Sequence, residues 1–148
     1  MKIFLDTNVI LEYFIEREDA ATAALLFSTI QEQKHDLYMS AGSVYTMIFL
    51  IDRYLKKELG LASDTRVETL RRLVKDVLMT ITVAGHDNES MLKAVEDLKY
   101  KDLEDSCQHQ AAAAACCDYL LTYNVKDYPQ AMLPVLTPTE FLIQVAKR

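Results

Sequence analysis

Short apolar segments alternate with longer helical patterns along this chain of 148 residues, and this alternation limits the possible folds strongly. Five segments have the length and apolar character of buried strands: residues 2–5, 37–40, 80–84, 119–122 and 134–136. Seven amphipathic stretches predict helices: residues 9–15, 20–33, 44–59, 64–78, 88–98, 103–116 and 138–146. Strands and helices that alternate in this way form a parallel sheet with helices on both faces. The sequence therefore predicts an α/β fold with a central parallel sheet of about five strands.

The length and composition predict one ordered domain over residues 1–148. Hydrophobic residues make up 51% of the chain, charged residues make up 26%, and there are only 3 Gly and 3 Pro, as in helix-rich globular proteins. No apolar stretch reaches the roughly 18 residues that a membrane span needs. The amino terminus does not combine a basic segment with an apolar one. We therefore expect a cytoplasmic protein without a membrane segment.

The net charge and the cysteines exclude several classes of function. A formal charge of −6 argues against binding nucleic acid through the surface as a whole, so any such contact must be local. Cys107, Cys116 and Cys117 are odd in number and lack Cys-x-x-Cys spacing, which predicts neither a disulfide framework nor a zinc site. We expect these cysteines to be small buried residues of a helix that packs closely on the sheet, next to the alanine run 111–115.

Asp6 stands where the first strand stops and a helix starts. Open α/β sheets place their active sites at the carboxyl ends of their strands, so this position suits a functional carboxylate. Asp, Thr and Asn also cap helix N-termini, and Asp6, Thr7 and Asn8 could serve that purpose alone. Both interpretations stay open from this segment.

Further acidic and amide residues fall where a parallel sheet would bring them to Asp6. Asp105 opens a later helix, and Asn124 and Asp127 follow the fourth predicted strand. Clustered carboxylates repel one another unless they are protonated or neutralised, and a hard divalent cation such as Mg²⁺ neutralises them through oxygen ligands. The sequence thus predicts a metal site at this edge. The same repulsion predicts that Asp6→Asn preserves or raises thermal stability while it abolishes metal binding.

Each of these residues also has a structural interpretation. Asp102 and Asp105 could form a reciprocal cap at the start of a helix, and Asn124 with Asp127 could shape a turn before Pro129. The lysines beside these carboxylates, Lys101 and Lys126, could contact substrate phosphates or be ordinary solvated side chains. The three histidines, His35, His86 and His109, have no nucleophile elbow to serve.

Three motifs carry a family resemblance. Phe-Leu-Asp-Thr-Asn-Val-Ile-Leu at 4–11, Lys-Asp-Leu-Glu-Asp-Ser-Cys-Gln at 101–108 and Thr-Tyr-Asn-Val-Lys-Asp-Tyr at 122–128 resemble, in this order and spacing, the motifs of the PIN domain family. The resemblance covers essentially the whole chain. It implies a three-layer fold around a parallel sheet and Mg²⁺- or Mn²⁺-dependent ribonuclease activity, as in the VapC-type toxins of toxin–antitoxin pairs.

The resemblance also implies roles for individual residues. Asp6, Asp105 and Asp127 match the family's acidic positions, which hold the metal and carry catalysis. The remaining matches are residues that support the acidic ones or contact substrate: Asn8, Ser40, Glu104 and Asn124. A phosphatase of the haloacid dehalogenase type is a poor alternative, because its second aspartate would stand where this chain has Asn8, which cannot transfer a proton.

One position departs from the family pattern. Family members usually have a glutamate about six residues after the serine that ends the second strand. In this chain that position is Thr46. A hydroxyl brings no negative charge, so we expect weaker metal binding than in a site with four carboxylates. The alternative function is therefore a catalytically weakened PIN-like domain that binds RNA or a protein.

The expected partners follow from the same resemblance and from one helix. A ribonuclease of this type implies an RNA substrate and an antitoxin protein. The predicted helix within residues 44–55 is apolar on more than one face, and such a helix is either buried or part of an interface. We expect a homodimer on this ground.

Overall fold

The computed structural model describes residues 1–15, 17–129 and 131–147. The described residues form one sheet of five strands, all parallel, in the order β3-β2-β1-β4-β5. The strands are β1 (Lys2–Leu5), β2 (Asp36–Ser40), β3 (Thr82–Ala84), β4 (Tyr119–Leu121) and β5 (Val135–Leu136). The predicted α/β class and the five-stranded parallel sheet are confirmed.

Seven α-helices and one 3₁₀ turn connect these strands in the described part of the chain. The helices are α1 (Thr7–Phe14), α2 (Ala20–Glu32), α3 (Ala41–Lys57), α4 (Ser63–Thr80), α5 (Asn88–Glu96), α6 (Leu103–Ala114) and α7 (Pro138–Ala146). The 3₁₀ turn covers Val125–Asp127, directly after β4. None of these helices is long and apolar enough to cross a membrane, as far as the described residues go.

Helices cover both faces of the sheet because alternate residues of each strand point to opposite sides. In β1, Ile3 and Leu5 pack into one core, to which α1, α2, α3 and α7 also contribute buried residues. Phe4 points the other way and packs with Ala111 and Ala112 of α6. The predicted close approach of the alanine-rich helix to the sheet is therefore confirmed.

Two predicted boundaries are wrong for identifiable reasons. Helix α1 begins at Thr7 and not at residue 9, because the Asp6 side chain accepts the backbone N–H of Asn8 and so caps the helix. Thr80 ends α4 and does not begin β3. Its hydroxyl donates to the carbonyl of Asp76 at 3.0 Å, a bond that lets a β-branched residue stay in the last helical turn.

The prediction for the cysteines is partly wrong. Cys107 is half-buried on α6, but Cys116 is exposed and Cys117 is buried beyond the end of the helix. Cys116 has a φ of 54°, and the N–H groups of Cys116 and Cys117 donate to the carbonyls of Ala113 and Ala112. This is a Schellman motif, which reverses the chain after α6 and places it at the start of β4.

The strand order changes direction at β1, which lies between β2 and β4. The segments that follow β1, β2 and β4 therefore leave the sheet at neighbouring points of its carboxyl edge and run in different directions. In open α/β sheets such a place forms a crevice for ligands.

Candidate functional site

The elements described above bring five polar residues to the carboxyl edge of the sheet. Asp6 follows β1, Ser40 ends β2, and Thr122 follows β4. Asp127 belongs to the 3₁₀ turn after β4, and Asp105 lies in the first turn of α6. A cleft of about 280 Å³ at this edge is lined by Asp6, Thr7, Asn8, Leu11, Arg17, Thr46, Leu50, Asp102, Glu104, Asp105, Gln108, Asn124 and Asp127.

Asp6 is the most heavily hydrogen-bonded carboxylate at this edge. It is 5% exposed, and its Oδ2 accepts the Thr122 hydroxyl at 2.7 Å and the Asn8 Nδ2 at 2.8 Å. Its Oδ1 accepts the Gln108 Nε2 at 3.2 Å and the Asn8 backbone N–H at 3.3 Å. The Tyr128 hydroxyl donates to Oδ2 at 3.2 Å. Asp6 is thus a helix cap and also the centre of a hydrogen-bond network, so the two interpretations of this residue are compatible.

Asn8 and Thr122 connect the first strand to the fourth. The Asn8 Nδ2 also donates to the Thr122 hydroxyl oxygen at 3.1 Å, and its Oδ1 accepts the backbone N–H of Tyr123 at 3.2 Å. The backbone N–H of Asn124 donates to the Thr122 hydroxyl oxygen at 3.0 Å. Asn8 therefore supports Asp6, while the hydrogen bond of Asn124 to this network comes from its backbone.

Gln108 was not identified from the sequence as a site residue. It is 1% exposed, and besides its bond to Asp6 its Oε1 accepts the Thr7 backbone N–H and the Ser43 hydroxyl, both at 3.3 Å. The Ser43 and Ser40 hydroxyls lie 2.8 Å apart. Ser40 is therefore linked to Asp6 through Ser43 and Gln108. The available signal was helical spacing, because Gln108 stands three residues after Asp105 on the same helix.

Thr46 of α3 and Glu104 of α6 both line the cleft. The Thr46 side chain lines the cleft and hydrogen-bonds the Glu104 carboxylate, which also accepts the Thr7 hydroxyl at 3.4 Å. Burial raises the pKa of Glu104, the Thr46 hydrogen bond lowers it, and the negative charge of Asp6 raises it further. A carboxylate therefore lies beside the threonine that replaces the family glutamate.

Asp105 experiences the combined charge of the cleft. Burial raises the pKa of Asp105 to about 7, and the charges of Asp6, Asp102, Asp127 and Glu104 add to this effect. Neighbouring carboxylates disfavour one another's ionised form, so the crowding of acidic residues in the cleft reinforces the effect of burial.

Asp102 and Asp127 also have structural roles, although Asp105 does not complete the reciprocal cap that the sequence suggested at the start of α6. The Asp102 carboxylate caps α6 by accepting the Glu104 backbone N–H at 2.8 Å. The backbone N–H of Asp127 donates to the Asn124 carbonyl at 2.9 Å and closes the 3₁₀ turn. The Asp127 side chain is exposed at the mouth of the cleft. Each residue thus shapes its segment and also lines the cleft.

Tyr128 is a second residue that the sequence did not single out for the site. Its hydroxyl lies 3.2 Å from the Asp6 Oδ2 and 3.5 Å from the Asp105 Oδ1, and the residue is 4% exposed. Burial raises the pKa of Tyr128 far above its usual range, and the nearby Asp6 and Asp105 charges reinforce the shift. The hydroxyl therefore keeps its proton and donates it between the two carboxylates.

His109 does not take part in the cleft. Its Nε2 accepts the backbone N–H of Met132 at 2.9 Å, and its ring stacks on Tyr100 with centroids 5.5 Å apart. These contacts agree with a structural role for this histidine.

The donor set of the cleft suits a hard divalent cation, since it consists of carboxylate and hydroxyl oxygens and contains a carboxyl group whose ionisation is disfavoured by its neighbours. Within residues 1–15, 17–129 and 131–147, no three His, Cys, Asp or Glu side chains form a ready-made group of metal ligands. Metal ligation by Asp6, Asp105 and Asp127 therefore stays a prediction.

The protein is thus an α/β protein with a parallel sheet and an acidic cleft at the carboxyl edge of that sheet. The chain belongs to the PIN domain family, because the family model described as a PIN domain matches residues 2–126. The predicted family assignment is confirmed.

Known relatives extend over nearly the whole chain. Ribonuclease VapC1 of Aquifex aeolicus (strain VF5) is 28% identical over 145 residues, which are 95% of this chain and 92% of that protein. The structure resembles that of VapBC2 from Rickettsia felis bound to a DNA fragment from its promoter, with a TM-score of 0.68, 14% identity and coverage of 93% of this chain and 98% of the other. VapBC-1 from nontypeable Haemophilus influenzae gives a TM-score of 0.64 at 20% identity, with coverage of 94% and 99%.

Proposed function

We propose that this protein is a divalent-metal-dependent endoribonuclease and the toxin of a toxin–antitoxin pair. The observation that carries the proposal is the convergence of Asp6, Asp105 and Asp127 on one cleft at the carboxyl edge of the sheet. Membership of the PIN domain family and the similarity to Ribonuclease VapC1 support an RNA substrate.

The carboxylates would hold Mg²⁺ or Mn²⁺. When bound, such an ion neutralises the acidic cluster, polarises a water molecule for attack and stabilises charge on a phosphodiester. Asp6 and Asp105 are the two residues best placed to hold it, because the Tyr128 hydroxyl that contacts both shows that their oxygens face a common point. Asp127 lies at the mouth of the same cleft.

The residues around Asp6 fix its orientation. The Thr122 hydroxyl, the Asn8 amide and the Gln108 amide hold both carboxylate oxygens through short bonds at buried or half-buried positions. Groups that orient a metal-binding carboxylate in this way commonly affect metal affinity nearly as strongly as the ligands themselves. We therefore assign Asn8, Gln108 and Thr122 as positioning residues.

Glu104 compensates in our proposal for the missing glutamate at position 46. The Thr46 and Thr7 hydroxyls both hydrogen-bond the Glu104 carboxylate, which interacts with the charge of Asp6. In our proposal Glu104 supplies the negative charge that other family members take from the helix after the second strand. The negative charge of Glu104 in the cleft favours an active nuclease over a catalytically weakened binding module.

The proposed partners are an RNA substrate, an antitoxin protein and a second copy of this chain. The two solved neighbours are VapBC complexes, which supports the antitoxin. Helix α3 buries Met47 and Ile51 in the core but leaves Tyr45 and Phe49 on its other face 77% and 63% exposed. Two large exposed rings four residues apart on one helix support a homodimer that packs through this face.

The proposal is tested by cleavage of a labelled single-stranded RNA with Mn²⁺ present, after chelation with EDTA, and after Mn²⁺ is restored. We expect cleavage to stop on chelation and to return with the metal, and Asp105→Asn to be inactive throughout. Cleavage that continues in EDTA contradicts the metal dependence. RNA binding without cleavage at any metal concentration supports the alternative function, a binding module.

A further inference from the structure

A second cleft adjoins the carboxylates on the side of Asp105 and Asp127. It has a volume of about 700 Å³, within the range of ligand sites, and is lined by Lys99, Lys101, Asp102, Asp105, Lys126, Asp127 and Pro129. Its three aspartates, Asp102, Asp105 and Asp127, also line the first cleft, so the two clefts adjoin. We call this second cleft the lysine cleft.

Two separate segments bring the lysines together. Lys99 and Lys101 belong to the connection between α5 and α6, and Lys126 belongs to the 3₁₀ turn after β4. These segments are far apart in sequence and meet only through the fold. Three cations from two segments therefore line one cavity together with three aspartates, in a chain whose net charge is −6.

The lysines flank an anchored residue. Tyr100 stacks on His109 and packs edge-on against Tyr128, with ring centroids 5.5 and 6.1 Å apart. Lys99 and Lys101 on either side of it are exposed. The half-buried aromatic ring therefore holds the backbone of this segment in place, and the two lysines line the cleft.

The lysine side chains have no protein partner to neutralise them. Among the described residues, none of Lys99, Lys101 and Lys126 makes a side-chain hydrogen bond or an ion pair. By contrast, Lys93 is paired with Glu89 at 2.6 Å, and Arg66 is paired with Asp52 at 3.0 Å. The three ammonium groups are thus available to an anionic ligand.

We propose that Lys99, Lys101 and Lys126 form a track for the phosphates of the RNA strand on the Asp105 side of the active cleft. This proposal rests on the proposed function and adds the path of the substrate. The described lining contains no aromatic ring on which a base could stack, so the cleft binds the backbone and not the bases. Affinity contributed by this track therefore depends on salt and is nearly independent of base sequence.

The charge balance of the lysine cleft links this binding to a divalent cation. Its described lining carries three lysines and three aspartates, so the cleft attracts phosphate weakly while the aspartates are unneutralised. A divalent cation held by the carboxylates changes this balance in favour of an anion. RNA binding through the lysines is consequently tighter in the presence of Mg²⁺ than in EDTA.

The test measures binding of a phosphorothioate RNA of about 12 nucleotides, a length within the range of single-strand sites, by fluorescence anisotropy. Phosphorothioate linkages keep the charge and resist hydrolysis. The variant K99Q/K101Q/K126Q is compared with K34Q/K56Q/K147Q, which removes the same charge. Lys34 lies just before β2, at the amino edge of the sheet, and Lys56 and Lys147 lie at the carboxyl ends of α3 and α7. None of these three lysines lines either cleft.

In Mg²⁺ we expect the lysine-cleft variant to bind about tenfold or more weakly and its slope of log affinity against log salt to fall by about 2, since each phosphate contact on a single strand contributes about 0.7. The control variant keeps the wild-type slope. A lysine-cleft variant that binds like the control overturns the proposal, and so does a loss that depends on base sequence. K99R/K101R/K126R keeps the charge and should bind like wild type.

Failure of the proposed function gives a different result. Cleavage of unmodified RNA by the wild-type protein is measured separately, and its absence contradicts the nuclease assignment while the anisotropy comparison still reports on the lysine cleft. If wild-type protein cleaves RNA but both triple variants bind it equally, the nuclease stands and the track is overturned.

Discussion

The Asp6 carboxylate affects stability in two opposite ways. Its charge repels the neighbouring carboxylates and lowers stability, whereas the hydrogen bonds that it accepts raise stability. Charge repulsion alone predicts that Asp6→Asn is neutral or stabilising. The structure adds five donors around the carboxylate, from Asn8, Gln108, Thr122 and Tyr128. An asparagine replaces one acceptor oxygen by an NH₂ group that faces these donors, so buried polar groups lose their partners.

We therefore expect Asp6→Asn to lower the free energy of unfolding by about 1–3 kcal/mol, the cost of unsatisfied buried polar groups. Urea unfolding in EDTA measures this change without any contribution from metal. Asp127→Asn is the control, because its side chain is exposed and should change stability by no more than about 0.5 kcal/mol. Equal stability of wild type and Asp6→Asn contradicts the importance of the hydrogen bonds.

Glu104 and Thr46 permit an exchange experiment. Glu104→Gln should weaken Mn²⁺ binding about 10- to 100-fold, the range for groups that support a metal site. Thr46→Glu alone should tighten it by about tenfold because it adds a charge. The double variant T46E/E104Q should bind Mn²⁺ much like wild type.

Isothermal titration with Mn²⁺ measures these affinities, and Glu89→Gln is the control because Glu89 is exposed on α5 and pairs with Lys93. If Glu104→Gln binds Mn²⁺ as tightly as wild type, Glu104 does not replace the family glutamate.

The raised pKa of Asp105 predicts how stability depends on pH. In the unfolded chain this carboxyl group has a pKa of about 3.9, and in the folded protein the pKa is about 7. The folded state thus binds more protons between these values, so the contribution to stability is full below about pH 4 and is lost as the pH rises through about 7. Mg²⁺ should oppose this loss.

Urea unfolding in EDTA at about pH 5 and about pH 8 checks the direction, with Asp105→Asn as the reference. Burial lowers the pKa values of His86 and His109, which acts in the opposite sense in both proteins. The difference between wild type and Asp105→Asn isolates the aspartate. The free energy of unfolding of wild type minus that of Asp105→Asn should fall from pH 5 to pH 8, because Asp105 ionises only in wild type. A difference that is constant with pH contradicts the shift.

The sequence was sufficient to find the acidic residues of the cleft, because each stands at a helix start or in the segment that follows a strand. It was insufficient to find Gln108 and Tyr128. Gln108 lies among helical residues whose facing direction depends on how α6 packs, and Tyr128 follows a turn whose course the sequence does not specify. Their contacts with Asp6 span more than 100 residues. The spacing of Gln108 from Asp105 was the only local signal for Gln108, and no local pattern indicates the contact of Tyr128.

At the scale of elements, helix α6 ends in a backbone conformation that is unfavourable for a residue with a side chain. Cys116 occupies the left-handed region at φ 54°, where glycine is the usual residue. The existence of the helix could be predicted from its alanine run. The exact end could not, because the Schellman motif forms here without the glycine that normally signals it. The ends of β3 and β5 could not be predicted either. These strands have only three and two residues, and their ends depend on pairing with β2 and β4.

Cys116→Gly should raise the free energy of unfolding by about 1 kcal/mol, since it relieves the cost of a side chain in the left-handed region and removes no buried surface. Thermal or urea unfolding under reducing conditions measures the gain. Cys116→Ala keeps the Cβ atom and should stay close to wild type. A destabilised glycine variant would show that chain entropy outweighs the relief of strain.

At the scale of the whole molecule, the exposed rings of α3 predict the oligomeric state. Replacing Tyr45 and Phe49 by serine should convert a dimer to a monomer without unfolding it, because neither ring belongs to the core. Sedimentation velocity measures the mass in solution, and circular dichroism checks the fold. The matched control replaces Leu92 and Val95 of α5, which are also exposed. A wild-type monomer, or a double variant that stays dimeric, contradicts an interface at this face.

The position of β1 at the centre of the sheet sets the order in which the active cleft can appear during synthesis. Asp6 is made before its donors Gln108, Thr122 and Tyr128, which follow 102, 116 and 122 positions later. A nascent chain that has not released Tyr128 from the ribosome contains the first aspartate without the residues that orient it. Contacts so distant in sequence form late in folding. A growing polypeptide therefore carries no assembled cleft, and the proposed nuclease activity can begin only after the segment that carries Tyr128 has emerged and joined the sheet edge.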